Sequence, residues 1–220
     1  MDIVFSLAFT IIFSYLLGSL NSAIIVCRLW KKKDIRDYGS NNAGLTNVLR
    51  VFGKGPAAVT LLCDLAKGVI AVTACRLVVT NAFDVVFFND DKYIGYIAGF
   101  FVMLGHIFPV FYKFHGGKGV LIAATTLIAI DPLTCLFSVT VFAIVLAATK
   151  YVSVGSICAA VAYPVFTFIN QNFLYSNHEG VLPNTLAAVL IGALIIYMHR
   201  PNIKRLLNGT ENKFGQKKNS

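Results

Sequence analysis

Charge is scarce in this chain. Only 13% of its 220 residues are Asp, Glu, Lys or Arg, about half the ~25% usual in soluble domains. No polar stretch is long enough to build a soluble domain. HExxH is missing, which argues against a zincin protease. The phosphate-loop pattern GxxxxGK[ST] is missing too, because Gly119 follows Lys118 where a Ser or Thr is required. The five cysteines (Cys27, Cys63, Cys75, Cys135, Cys158) lie in apolar segments without CxxC spacing, so they read as small buried hydrophobes rather than ligands or disulfides. Acidic residues number ten against nineteen basic ones, too few on any one side for a multi-carboxylate metal site. No basic segment precedes the first apolar run, as a cleavable signal would need. No internal repeat of the kind that marks many transporters is visible.

What is abundant is apolar sequence: 57% of residues are hydrophobic and the mean hydropathy is +0.72. This predicts an all-α, polytopic membrane helix bundle, a single domain over 1–220 with a frayed tail at 210–220. Seven spans are expected, at about 3–27, 56–79, 94–112, 119–131, 133–149, 152–170 and 184–198. The fourth is short and ends at the turn-forming pair Asp131-Pro132; six spans, with a broken helix over 119–149, is the competing count. Arg28, Lys31, Lys32, Lys33, Arg36, Arg50, Lys54, Lys113, Lys118, Lys150 and the tail residues Arg200, Lys204 and Arg205 fall on one side. Asp84, Asp90, Asp91, Asp131 and Glu179 fall on the other, with Lys92 the main exception. The positive-inside rule then puts the N-terminus outside and the C-terminus in the cytoplasm. The net charge of +9 follows from that topology and from attraction to anionic headgroups; nucleic acid is not called for.

Three polar clusters interrupt the apolar background, all expected at one membrane face. Residues 34–50, DIRDYGSNNAGLTNVLR, concentrate Gly39, Ser40, Asn41, Asn42, Gly44, Thr46 and Asn47 before Arg50. Turn-forming residues rich in donors lead into a helix start, which is a ready anion site, and Arg50 suits a bidentate clamp on phosphate. Residues 105–119, GHIFPVFYKFHGGKG, carry Gly105, His106, His115, Gly116, Gly117, Lys118 and Gly119. Glycines there let backbone approach a ligand, and lysine adds a point charge. The third cluster, HRPNIKRL over 199–206, puts His199 and Asn202 on one helical face, with Arg205, Gly209 and Glu211 after them. Inside span 2, Asp64 and Lys67 are ionisable residues at membrane depth, either functional or simply paired with each other.

At these residues the chain resembles the bacterial acyl-phosphate:glycerol-3-phosphate acyltransferases of the PlsY family. That family's pattern runs close to DIRxxGSGNxGATNVxR, GHxFPVFxxFxGGKGV and HRxNIxRLxxGxE, and KYVSVGSI (150–157) resembles a fourth family stretch. The similarity covers nearly the whole chain in the right order. Asn41 stands for a glycine of the pattern, Leu45 for an alanine, and Leu-Ile after Val120 for Ala-Thr. The HxxxxD motif of other glycerol-phosphate acyltransferases is absent, as the resemblance implies, since Phe111, Val120, Pro183 and Lys204 stand five positions after the four histidines.

The resemblance implies transfer of an acyl chain from acyl phosphate to the 1-hydroxyl of sn-glycerol 3-phosphate, with no metal and no cofactor. Both substrates carry phosphate and one carries a fatty chain from the bilayer, so a basic interfacial pocket suits them. Ser40, Arg50 and Lys118 are expected to hold phosphates and neutralise charge, and His199 and Asn202 to orient the acceptor or carbonyl. Gly39, Asn42, Gly44, Thr46, Asn47, His106, Gly116, Gly117, Gly119, Arg205 and Glu211 are the expected substrate-binding residues. The expected location is the bacterial inner membrane, with the site on the cytoplasmic face and the chain a monomer. The alternative from another class is a multi-span transporter of an anionic or phosphorylated solute, which predicts polar residues through the depth of the membrane.

Overall fold

The computed structural model describes residues 2–175 and 178–215, and among them there are helices, short 3-10 turns and no strand. Among the described residues, six helical segments are long and apolar enough to cross a membrane: Asp2–Lys31, Lys54–Ala82, Lys92–Tyr112, Pro132–Thr149, Val152–Phe173 and Val181–Met198. The chain divides into two compact units, Met1–Asp131 and Pro132–Ser220.

In the first unit the first apolar run is two helices rather than the continuous 3–27 expected. Helix α1 (Asp2–Ser19) stops at Leu20-Asn21, and α2 (Ser22–Lys31) restarts there because the Asn21 side chain accepts the Ile24 N–H at 3.1 Å. An amide that caps a helix start favours a restart over continuation. The face of α1 turned inward is small and polar: Ser6, Thr10, Ser14, Gly18 and Ser19. Ile3, Val4, Phe5, Ile12 and Leu16 face outward. This inverts the pattern of a soluble protein and is what packing in lipid favours, since small residues let helix backbones approach. Gly18 lies against the Val102 carbonyl and Gly105 against Tyr15, so a methyl at either would collide with main chain. These contacts bring α1 against α5 (Lys92–Ile107). Thr10 and Ser19 return their hydroxyls to carbonyls one turn back, at 2.8 Å each, so the buried face carries few orphan polar groups.

Between α2 and α4 (Lys54–Ala82) lies α3 (Leu45–Phe52), a short helix that does not span. Its Leu45, Val48, Leu49 and Phe52 pack with Ala23, Ile24, Cys27, Ile35 and Ala43 into a small core that supports the first polar loop. Helix α5 ends where Pro109 cannot continue it. Helix α6 (Val120–Ile130) has eleven residues, about 16 Å at 1.5 Å per residue, against a hydrocarbon core of ~30 Å. It ends at Asp131, kept out of the helical region by the proline that follows, at the turn the sequence predicts.

The second unit packs α8 (Val152–Phe173) against α7 (Pro132–Thr149) and against α9 (Val181–Met198). Buried amides link the helices: Asn170 donates to the Thr134 hydroxyl at 3.0 Å and Asn184 to Gln171 at 2.9 Å. A short helix, α10 (Arg200–Leu207), follows α9 almost without a break. The tail is less free than expected. Thr210 donates its N–H to the Arg205 carbonyl at 2.8 Å, and Phe214 donates to the Lys150 carbonyl at 2.7 Å. The rest of the expected frayed segment, 216–220, lies outside the described residues. None of the five cysteines forms a disulfide: Cys27, Cys75 and Cys135 are buried as expected, whereas Cys63 is exposed and Cys158 half-buried.

Candidate active site

The first two polar clusters are stitched together in the first unit. The Ala43 N–H donates to the Gly116 carbonyl at 3.4 Å. Asn21 donates weakly to both the Ala43 and His106 carbonyls, each at 3.4 Å. Arg36 reaches across to the carbonyls of Tyr112 at 2.8 Å and His115 at 3.3 Å.

Within the first loop Asn47 is the organiser. Its side-chain oxygen accepts the Ser40 N–H at 3.0 Å, and its amide donates to the carbonyls of Tyr38 at 2.9 Å, Asn42 at 3.1 Å and Ile35 at 3.3 Å. The chain reverses at Gly39, whose φ is +64°, and a Cβ there would strike the Asn47 oxygen. Asn47, expected to bind substrate, is buried and bonded within the loop. What the loop leaves available is the half-buried Ser40 hydroxyl, the Thr46 hydroxyl and the exposed Arg50 guanidinium, none of which has a partner among the described residues. Gly44 caps α3 without a side-chain bond, so the first N–H groups of that helix stay unclaimed. Asn42 and Gly44 lie at this edge.

The second loop ends in a similar way. Gly116 and Gly117 return their N–H groups to the Ile107 and His106 carbonyls, at 3.0 and 3.1 Å. The first bond into α6 is Ala123 N–H to the Gly119 carbonyl at 2.8 Å, so the N–H groups of Val120, Leu121 and Ile122 have no acceptor within their helix. Lys118 is half-buried just before them, and Gly119 turns with φ +82°. Two helix starts, Lys118 and the Ser40 and Thr46 hydroxyls thus lie within a few residues of the Ala43–Gly116 junction, with Arg50 in the last turn of α3. Helix starts and cations together favour a phosphate or another oxyanion.

Behind this junction sits a buried ionic node. Lys67 Nζ pairs with Asp64 at 2.8 Å, meets His106 Nδ1 at 3.1 Å and donates to the Leu20 carbonyl at 3.3 Å. The pairing of Asp64 with Lys67 weighed from the sequence is present, and His106 completes it. His106 is buried, with its ring turned to Lys67 rather than into open space. His115, by contrast, is exposed and bonds the Lys113 carbonyl.

Asp34, Arg36 and Asn21 are not among the expected site residues. Asp34 receives Arg36 at 3.0 and 2.8 Å and Arg28 at 2.8 Å. Hydrogen bonding from Arg36, against an opposing effect of burial and with help from Arg28, holds the Asp34 carboxyl well below the ordinary carboxylate range. The visible signal for Asn21 was a lone amide within an otherwise apolar run.

The third cluster lies in the second unit. Glu211 gathers it: its carboxylate accepts from Asn202 at 2.8 Å, Ser153 at 3.0 Å and Arg205 at 2.6 Å. Burial pushes its pKa up, but the bonds from Asn202, Arg205 and Ser153 outweigh it and leave the carboxyl below its usual value. Glu211 and Arg205, expected to bind substrate, are thus engaged with each other. His199 is buried, and its Nδ1 donates to the Ile195 carbonyl at 2.7 Å, which directs Nε2 away from the helix. Ser153, from the KYVSVGSI stretch, is a member the sequence did not single out.

A bundle of long apolar helices whose polar residues gather in loops and at helix starts defines a polytopic helical membrane protein. The family model described as glycerol-3-phosphate acyltransferase matches residues 8–209. A glycerol-3-phosphate acyltransferase of Thermoanaerobacter pseudethanolicus is 40% identical over 208 residues, covering 94% of this chain and 96% of its own. That of Clostridioides difficile is 41% identical over 219 residues, covering 98% of each. Among solved structures, PlsY (YgiH), an integral membrane glycerol 3-phosphate acyltransferase, is similar in its glycerol 3-phosphate form. Its TM-score is 0.79 at 36% identity, with 96% of both chains covered. Its lysophosphatidic acid form gives 0.78 at 35%. The chain belongs to the glycerol-3-phosphate acyltransferase family and is a multi-pass membrane protein.

Proposed function

We propose that this protein moves a fatty acyl group from acyl phosphate to the 1-hydroxyl of sn-glycerol 3-phosphate, producing lysophosphatidic acid and inorganic phosphate. The observation that carries this reading is the Ala43–Gly116 junction, which joins the loop that carries Ser40 into α3 to the loop that carries Lys118 into α6. Both substrates carry phosphate, and such a junction suits that chemistry.

The mechanism needs no covalent enzyme intermediate, because acyl phosphate is already activated. The acceptor hydroxyl oxygen attacks the acyl carbonyl carbon, and the carbon–oxygen bond to phosphate breaks. The departing phosphate takes the hydroxyl proton. Ser40, Arg50 and Lys118 hold phosphate oxygens and offset the charge that develops as the bond breaks. His199 and Asn202 serve the same transfer by orienting the acceptor or the carbonyl, with Glu211 and Arg205 fixing Asn202.

The reading extends to topology. Seven crossings, counting the short α6, with the N-terminus outside and the C-terminus in the cytoplasm, place every cluster on the cytoplasmic face of the bacterial inner membrane. The whole chain then acts as one acyltransferase domain, as a monomer. The test is to incubate purified protein with palmitoyl phosphate and glycerol 3-phosphate. Lysophosphatidate and phosphate should appear in equal amounts. If none forms, and acyl-CoA and acyl carrier protein donors are silent as well, the enzyme reading fails.

A further inference from the structure

The node behind the junction has a consequence for that reading, on which this inference rests. The Lys67 ammonium forms an ion pair with Asp64 at 2.8 Å and has two hydrogen-bond acceptors beside it, the His106 ring and the Leu20 carbonyl. Asp64 and Lys67 are one turn apart on α4, His106 is near the end of α5, and Leu20 lies in the break between α1 and α2. A single buried cation therefore ties three membrane segments together. Because the ammonium can only donate, His106 Nδ1 must accept, and the ring proton sits on Nε2.

That Nε2 edge rests against Gly117. A Cβ on Gly117 would overlap it and would also come within 2.9 Å of the Ala43 carbonyl. The His106 carbonyl meanwhile takes the Gly117 N–H at 3.1 Å and the Asn21 amide at 3.4 Å. Ring and main chain of His106 thus both set where Gly117 lies, and Lys118 is the next residue. We propose that Asp64 and Lys67 are positioning residues for the acyl transfer. They lock the His106 ring, and the ring in turn seats the Gly116-Gly117-Lys118 turn at the phosphate site. Neither touches substrate. A lone buried ion pair can be replaced by apolar groups at little cost to stability, so its worth here is the placement of the loop.

The experiment compares steady-state constants of purified wild type, Lys67→Met, the double variant Asp64→Asn/Lys67→Met and Lys118→Ala. The double variant leaves no unpaired buried charge, so it keeps the test open if Lys67→Met does not fold. Acyl transfer by the wild type tests the functional reading separately. Removing the node should lower kcat/KM at least tenfold and raise KM chiefly for the substrate whose KM also rises in Lys118→Ala. In a Lys118→Ala background the same change should cost less than threefold, because the turn it seats has lost its cation. A purely structural pair would lower the active fraction, hence kcat alone, by the same factor in both backgrounds. That result, a KM shift confined to the other substrate, or no loss in the double variant would overturn the proposal.

Discussion

Arg36 donates to the main-chain carbonyl of Tyr112 at 2.8 Å, 76 residues further along the chain, while the same guanidinium grips Asp34. Only a planar fork can do both at once. Replacing Arg36 by Lys keeps the charge and should still lose the tie between the loops. Hydrogen bonds to charged groups are worth about 1.5–3 kcal/mol, so amide exchange over residues 110–116 should quicken by roughly tenfold or more. Exchange at wild-type rates would show that the second loop holds its shape without Arg36.

Arg50 and Lys118 make different demands on the site. Arg50 is exposed and unpaired, whereas Lys118 is half-buried beside the start of α6. Each change to Ala should cut turnover by at least roughly tenfold, since one preorganised donor is commonly worth ~2.7–4 kcal/mol in the transition state. Thermal stability in detergent should barely move for Arg50→Ala. Turnover near the wild-type rate in folded protein would remove the residue concerned from the mechanism.

Gly39 and Gly53 both have positive φ, +64° and +83°. Alanine at either carries the backbone cost of roughly 1–2 kcal/mol. At Gly53 nothing lies within 4 Å of the added methyl, while at Gly39 it would strike the Asn47 oxygen that receives Ser40. Gly39→Ala should therefore depress turnover far more than Gly53→Ala at similar melting temperature. Equal losses of activity would show that Asn47 does not set the position of Ser40.

Glu211 makes acid sensitivity testable. Its carboxyl titrates below the ordinary value of 4.5 in the folded protein. The unfolded chain therefore binds the proton first as pH falls. The stabilisation is complete above that value and is lost as pH drops through the lower folded one. Glu211→Gln should melt earlier than wild type at pH 7, and the gap should narrow steadily as the buffer is taken below about pH 4.5. A gap that stays constant with pH would mean that the carboxylate charge is not what holds the tail.

The helices were legible because each long apolar run has one stable form in lipid, and the turn at Asp131-Pro132 was legible because proline restricts the residue before it. The residues of the three polar clusters stood out as polar groups in an apolar chain. Asn21 did too, yet its role depends on carbonyls at Ala43 and His106, which no local pattern reveals. Glu211 illustrates the reverse case. In sequence it is an acid near other polar residues, and in space Ser153, Asn202 and Arg205 already occupy it.

Composition and spacing were enough for class, the long apolar segments and the identity of the polar clusters, because burial in a membrane penalises every exposed polar group and so makes each exception conspicuous. Which of those polar groups face a ligand and which hold one another was decided only by tertiary structure. Arg50 and Ser40 remain open while Asn47, His106 and Glu211 are engaged. Hydrogen bonds and ion pairs need partners within about 3 Å, and distances of that order between residues far apart in the chain exist only once the helices have packed.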